Sequence, residues 1–141
     1  AAFRNRQPVA ANIAAMAKLL IVEDDESVRT LAARALERAG HKVDVACDGA
    51  EGLDSIHAER GGYDLIVSDI LMPEMDGIEL ARRATRLDPD LKVMFITGFA
   101  AVSLRASREQ PTARVLSKPF HLRDLVLEVE RVFEEADAAR G

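Results

Sequence analysis

Four short apolar runs in this sequence each stop abruptly at a residue with chemical potential. Leu19-Leu20-Ile21-Val22 runs into Glu23-Asp24-Asp25, and Leu65-Ile66-Val67 into Ser68-Asp69. Val93-Met94-Phe95-Ile96 ends in Thr97-Gly98, and Val115-Leu116 in Ser117-Lys118-Pro119. If those ends share one crevice, Asp24, Asp25 and Asp69 bring three carboxylates together, which repel unless a cation lies among them. Oxygen ligands without His or Cys suit a hard ion such as Mg2+. Lys118 adds a point positive charge and Thr97 a hydroxyl donor. A carboxylate with those neighbours is equipped to attack phosphorus and become an acyl phosphate, while cation, ammonium and hydroxyl hold the phosphoryl oxygens. Asp69 is the candidate nucleophile, because the breakers Pro73 and Gly77 set it on a loop. Singly, each residue has a structural alternative: Asp24 or Asp25 as a helix N-cap, Asp69 capping a turn, Lys118 solvated, Thr97 an ordinary strand residue. Their joint placement favours chemistry. Pro119 after Lys118 allows a cis bond that would fix how the lysine is presented.

The elements that must position these groups follow from hydrophobic period. Continuous apolar runs at 19–22, 65–67 and 93–96 predict strands buried on both faces, as in the interior of a parallel sheet. Val43 and Val45 alternate with Lys42 and Asp44, predicting an edge strand, and Val115-Leu116 predicts a short fifth one. Between them, Val28, Leu31, Ala32, Ala35 and Leu36 form one helical stripe closed by Gly40. Ala50, Leu53 and Ile56 begin a second helix, ended by Gly61-Gly62. A third starts at an Asp76 N-cap with Glu79 three residues on and stops at Asp88-Pro89. The stretch Phe99 to Glu109 is weakly helical before Pro111, and Leu122, Leu125, Val126, Val129, Val132 and Phe133 make the last stripe, with a polar tail from Glu134. Strand and helix alternate five times, which predicts an α/β flavodoxin-like doubly wound (βα)5 fold with a five-stranded parallel sheet in order 2-1-3-4-5. In that order the winding reverses between strands one and three, and the crevice at their carboxyl ends is the expected ligand site.

The 141 residues suffice for one domain, and 48% hydrophobic with 30% charged is a globular balance. A formal charge of −5 argues against broad nucleic-acid binding. The one cysteine, Cys47, excludes an internal disulfide and is expected to be half-buried at a strand end. His41, His57 and His121 lack ligand spacing and are expected at the surface or at helix ends. No apolar run reaches the length of a membrane span. Residues 1–16 are expected to be an extension of vector or upstream origin ahead of a natural start at Met16, with the domain over 17–138 and 139–141 as a tail.

Val22-Glu23-Asp24-Asp25, the run Asp69-Ile70-Leu71-Met72-Pro73-Glu74-Met75-Asp76-Gly77, Ile96-Thr97-Gly98 and Ser117-Lys118-Pro119-Phe120 together resemble the receiver domain of two-component response regulators. The resemblance covers Lys18 to about Glu135. It implies Asp69 as phosphoacceptor, Mg2+ held by Asp24, Asp25, Asp69 and the backbone carbonyl of Leu71, and Thr97 and Lys118 as phosphoryl-binding groups. The implied partner is a histidine phosphotransferase or histidine kinase in the cytoplasm. Glu79 to Ala84, Leu87-Asp88-Pro89-Asp90, Met94 to Ala101 and Val115 to Leu122 are similar, more narrowly, to single-domain members. Those members receive phosphate through a histidine phosphorelay and, when unphosphorylated, help the ClpXP protease select cell-cycle substrates. The chain's end soon after the fifth helix is expected of such a member, acting as a binding module and not as an enzyme. A phosphate shuttle or sink within a phosphorelay is the alternative. A haloacid-dehalogenase-type phosphatase would need an acid two residues after the nucleophile, where this chain has Leu71. Val115 departs from the Tyr or Phe that many receivers carry three residues before the lysine, so signalling by that aromatic is not expected here. Phe99 or Phe120 are the aromatics left to serve, and Phe99-Ala100-Ala101-Val102 is a candidate exposed patch.

Overall fold

A computed structural model describes residues 17–140. The extension expected over 1–16 lies outside the described residues. Five strands and five helices alternate: β1 Lys18–Val22, α1 Glu26–Arg38, β2 Lys42–Ala46, α2 Gly49–Ala58, β3 Leu65–Asp69, α3 Gly77–Leu87, β4 Lys92–Thr97, α4 Ala100–Glu109, β5 Arg114–Ser117 and α5 Leu122–Arg140. All pairs are parallel and the sheet order is β2-β1-β3-β4-β5, as the apolarity pattern predicts. The last helix continues past the tail boundary expected at 138, because buried Phe133 and half-buried Ala136 still hold it to the sheet and alanines prolong it.

Alternation along the three interior strands builds two cores. Leu20, Val22, Ile66, Val93 and Phe95 face α2, α3 and α4, where they meet Ile56, Ile78, Leu80, Ala81, Ala84 and Ala106. Leu19, Ile21, Leu65, Val67, Met94 and Ile96 face α1 and α5, against Ala32, Leu36, Leu125, Val129 and Phe133. Burying both faces explains the unbroken apolar runs. β2 is an edge strand with little burial, as its alternation predicts: Val45 is 45% exposed, Val43 packs partly against the core under α1 and α5, and Ala46 is its buried residue. His41 lies at the end of α1, one of the two places expected for it. It is buried beside Phe133, with ring centroids 6.2 Å apart, where α1 turns into β2. Cys47, one residue past β2, is exposed and not half-buried. Glu51, whose carboxylate takes the Cys47 N–H at 3.1 Å and lies 3.4 Å from its Sγ, pushes the thiol's pKa up. No helix among the described residues is long and apolar enough to cross a membrane.

Candidate functional site

Parallel registers bring the carboxyl ends of β1, β3, β4 and β5 to one edge: Val22 pairs with Ser68, Asp69 with Ile96, and Thr97 with Ser117. Asp69 is the last residue of β3 and is 6% exposed. Carboxylate oxygens of Glu23, Asp24 and Asp69 all lie within 4.8 Å of one another. Glu23 therefore stands where the sequence reading had put Asp25. The Asp25 carboxylate is used elsewhere: in extended conformation (φ −81°, ψ 116°) it caps α1, its Oδ1 accepting the Val28 N–H at 3.1 Å. The signal was present in the sequence, since Asp25 immediately precedes the helical run Glu26-Ser27-Val28 and aspartate is a preferred N-cap.

Glu23 is almost fully buried, 1% exposed. Its Oε2 accepts the Asp25 N–H at 3.0 Å, and Arg29 Nη1 donates to its carbonyl at 2.9 Å, which pins the turn between β1 and α1. Lys118 Nζ lies 2.9 Å from Glu23 Oε1 and 3.1 Å from Asp69 Oδ2. Burial pushes the Glu23 carboxyl up to about 7; the Asp25 N–H and the Lys118 ammonium work against that rise, and the Asp69 charge adds to it. At Lys118 burial opposes the charge, but the two carboxylates outweigh it and hold the ammonium's pKa above the ordinary lysine range. The lysine is presented by a cis Lys118–Pro119 bond and by its own N–H, which donates to the Thr97 carbonyl at 2.8 Å. One ammonium against three carboxylates leaves a surplus of negative charge in a partly buried, all-oxygen cluster. That donor set fits a hard divalent cation.

Thr97 is buried at the end of β4, and its Oγ1 accepts the Phe99 N–H at 3.1 Å. The oxygen is thus engaged while the hydroxyl proton remains a donor. Beyond Asp69 the chain doubles back: the Ile70 N–H donates to the Ile96 carbonyl at 3.1 Å and the Gly77 N–H to the Ile70 carbonyl at 2.8 Å. Leu71 follows on this loop with its side chain 43% exposed. A Met75 N–H to Pro73 carbonyl bond closes a three-residue turn around Glu74, which adopts φ 68°. Gly77 is dictated by contact, because a Cβ there would lie 2.1 Å from the Asp69 carbonyl oxygen. Val115 is half-buried in the α2–α3–α4 core, so no aromatic ring occupies its place. Phe99 is 61% exposed, whereas Phe120 packs partly against the opposite core. His57 and His121 are exposed, as expected.

Fold and site together define a receiver: the chain belongs to the response regulator receiver domain family, whose model matches residues 19–130. It is 53% identical over 118 residues to the response regulator receiver protein CpdR of Brucella abortus (strain 2308), covering 83% of this chain and 97% of that protein. It is also 36% identical over 131 residues to the sensor kinase CckA of the same strain, spanning 91% of this chain but 14% of the kinase. Among solved structures, a CheY-like response regulator receiver domain protein from Methanospirillum hungatei JF-1 superimposes with a TM-score of 0.77 at 31% identity, covering 88% of this chain and 98% of that one.

Proposed function

We propose that this chain is a single-domain response regulator whose Asp69 accepts a phosphoryl group from a histidine phosphotransferase or histidine kinase, and whose phosphorylation state switches partner binding. The observation that carries this is the Asp69 carboxylate at the switch point of the sheet, 3.1 Å from Lys118 and clustered with Glu23 and Asp24. Lys118 engages Oδ2, so Oδ1 is the oxygen that attacks phosphorus. The new O–P bond forms as the P–N bond of phosphohistidine breaks, and its electron pair returns to the imidazole nitrogen, which takes up a proton. Lys118 and the Thr97 hydroxyl then hold phosphoryl oxygens. Glu23, Asp24, Asp69 and the Leu71 carbonyl would hold Mg2+, which supplies neutralising charge for the incoming phosphoryl group. With Leu71 where a second acid would be needed, the residues favour a held acyl phosphate over steady hydrolytic turnover, a regulatory and not an enzymatic role. The site is tested by mixing full-length protein with a small phosphodonor and Mg2+. Wild type should gain the mass of one phosphoryl group and Asp69→Ala should not; equal labelling would remove Asp69 as acceptor.

Similarity to CpdR along nearly all of that protein's length supports the narrower reading, control of ClpXP-dependent proteolysis in the cytoplasm during the cell cycle. The unphosphorylated form is the one expected to bind. Binding of the free and the beryllofluoride-treated protein to the N-terminal region of ClpX tests this, and equal affinity in the two states would remove the switch. Capture of relay proteins but no protease component would favour the shuttle or sink.

A further inference from the structure

We infer that the Arg105–Asp76 ion pair ties the phosphoacceptor loop to α4, and that it is the link through which α4 responds to the state of Asp69. The inference rests on the phosphoacceptor reading above and concerns how the signal leaves the site when residue 115 is valine.

The helix at the receiving end is held lightly. In α4, Ala106 is fully buried and Val102 half-buried, whereas Leu104 is 69% exposed, as is Phe99 at 61% beside the helix start. The N-cap residue Phe99 makes no side-chain cap bond. By contrast α3 buries Ile78, Leu80, Ala81 and Ala84 and has a side-chain cap. A helix with few buried contacts and a weak start belongs to the low-stability end of a fold, where one further tie shifts its position.

Arg105 is such a tie. From the second half of α4 it reaches Asp76 Oδ2 at 2.8 Å, while its Nε holds Glu109 Oε2 at 3.1 Å on its own helix. Asp76 is no free surface acid. Its Oδ1 takes the Glu79 N–H at 2.8 Å, capping α3, and its carbonyl takes the Leu80 N–H at 3.0 Å. The next residue, Gly77, donates to the Ile70 carbonyl and sits so close to Asp69 that no side chain fits between them. From Asp69 the contact thus passes through backbone to Gly77, along one peptide to Asp76, and across one charged hydrogen bond to α4. A loop displaced by a phosphoryl group on Asp69 carries Asp76 with it, and Arg105 must follow or let go. Thr97, whose Oγ1 accepts the Phe99 N–H, offers α4 a second contact at its first turn. The ion pair acts one and a half turns further along.

The pair is partly solvated, with side chains 44% and 25% exposed, so its leverage is modest, about two- to fivefold in a two-state population. The test follows backbone amide shifts of the full chain as beryllofluoride and Mg2+ are added. Wild type, Arg105→Gln, Asp76→Asn and the double variant are compared; asparagine is chosen because it still caps α3. In wild type both 68–77 and 100–109 should shift. In each single variant the 68–77 response should persist while the α4 response shrinks about two- to fivefold, and the double variant should be no worse than either single one. A wild-type α4 response in Arg105→Gln, or losses that add in the double variant, would overturn the link. Silence at 68–77 in wild type would overturn the phosphoacceptor reading and the link with it.

Discussion

Glu23 is 1% exposed beside Asp69, and burial lifts its pKa from 4.5 to about 7. Between those two values the folded chain holds a proton that the unfolded chain has released, so metal-free stability falls as pH rises through that window and stays low above it. Glu23→Gln removes the ionisation. In EDTA the variant should match wild type near pH 5 and be more stable near pH 8, by on the order of 2–3 kcal/mol from urea midpoints. An unchanged gap between pH 5 and pH 8 would contradict the assignment. Asp69, Thr97 and Lys118 could be placed at strand ends from the sequence because each lies within two residues of the end of an apolar run. Glu23 was hidden by its neighbours, because three consecutive acids do not say which of them turn to the crevice and which caps the helix. The exposure of Cys47 and the burial of His41 were not foreseen for a related reason. Burial at those positions depends on what α2 and α5 lay over the strand ends, which local pattern does not contain.

Among the elements, α3 depends on its first residue, Gly77, and on its N-cap, Asp76. Gly77→Ala would place a Cβ 2.1 Å from the Asp69 carbonyl oxygen, a backbone atom that cannot yield without moving Asp69. The expected loss is about 3 kcal/mol in urea unfolding, at the upper end of overpacking costs, together with loss of phosphodonor labelling. Asp76 caps the same helix, and although burial opposes its ionisation, the Glu79 N–H and Arg105 outweigh it and lower its pKa. For a lowered carboxyl the sign is opposite to that of Glu23: its contribution is complete above about pH 4 and is lost as pH falls through the folded value. Asp76→Ala should cost about 1–2 kcal/mol at pH 7 and progressively less in acid, measured by the same unfolding midpoints. An equal cost at pH 7 and pH 3 would show that the cap acts without its charge. The Asp76 cap was legible from Asp76-Gly77 and Glu79, whereas α4 was the least legible helix. Few of its side chains are buried, so its apolar period is faint, and Arg105 carries no signal of a partner 29 residues away.

At the scale of the whole molecule, unbroken apolar runs at 19–22, 65–67 and 93–96 were enough to place three strands inside the sheet, because only burial on both faces calls for them. From that order followed the crevice, and from the crevice a set of acids in which the sequence pattern puts Asp25 and the structure Glu23. Metal linkage decides it. An ion that binds only the folded chain raises stability with its concentration, by about 2.7 kcal/mol at one hundred times its dissociation constant. For a domain of this size that is a rise in the thermal midpoint of roughly 8 °C. Wild type near pH 8 should show this rise as MgCl2 is added, and should show less of it near pH 5, where Glu23 keeps its proton and the cluster loses one negative charge. Asp24→Asn and Glu23→Gln should each cut the rise sharply. Asp25→Asn should leave it intact, because that side chain caps α1 through an oxygen that asparagine also supplies. If Asp25→Asn abolishes the Mg2+ response and Glu23→Gln spares it, the second ligand is the one the sequence first suggested, and the buried glutamate serves only to hold Lys118.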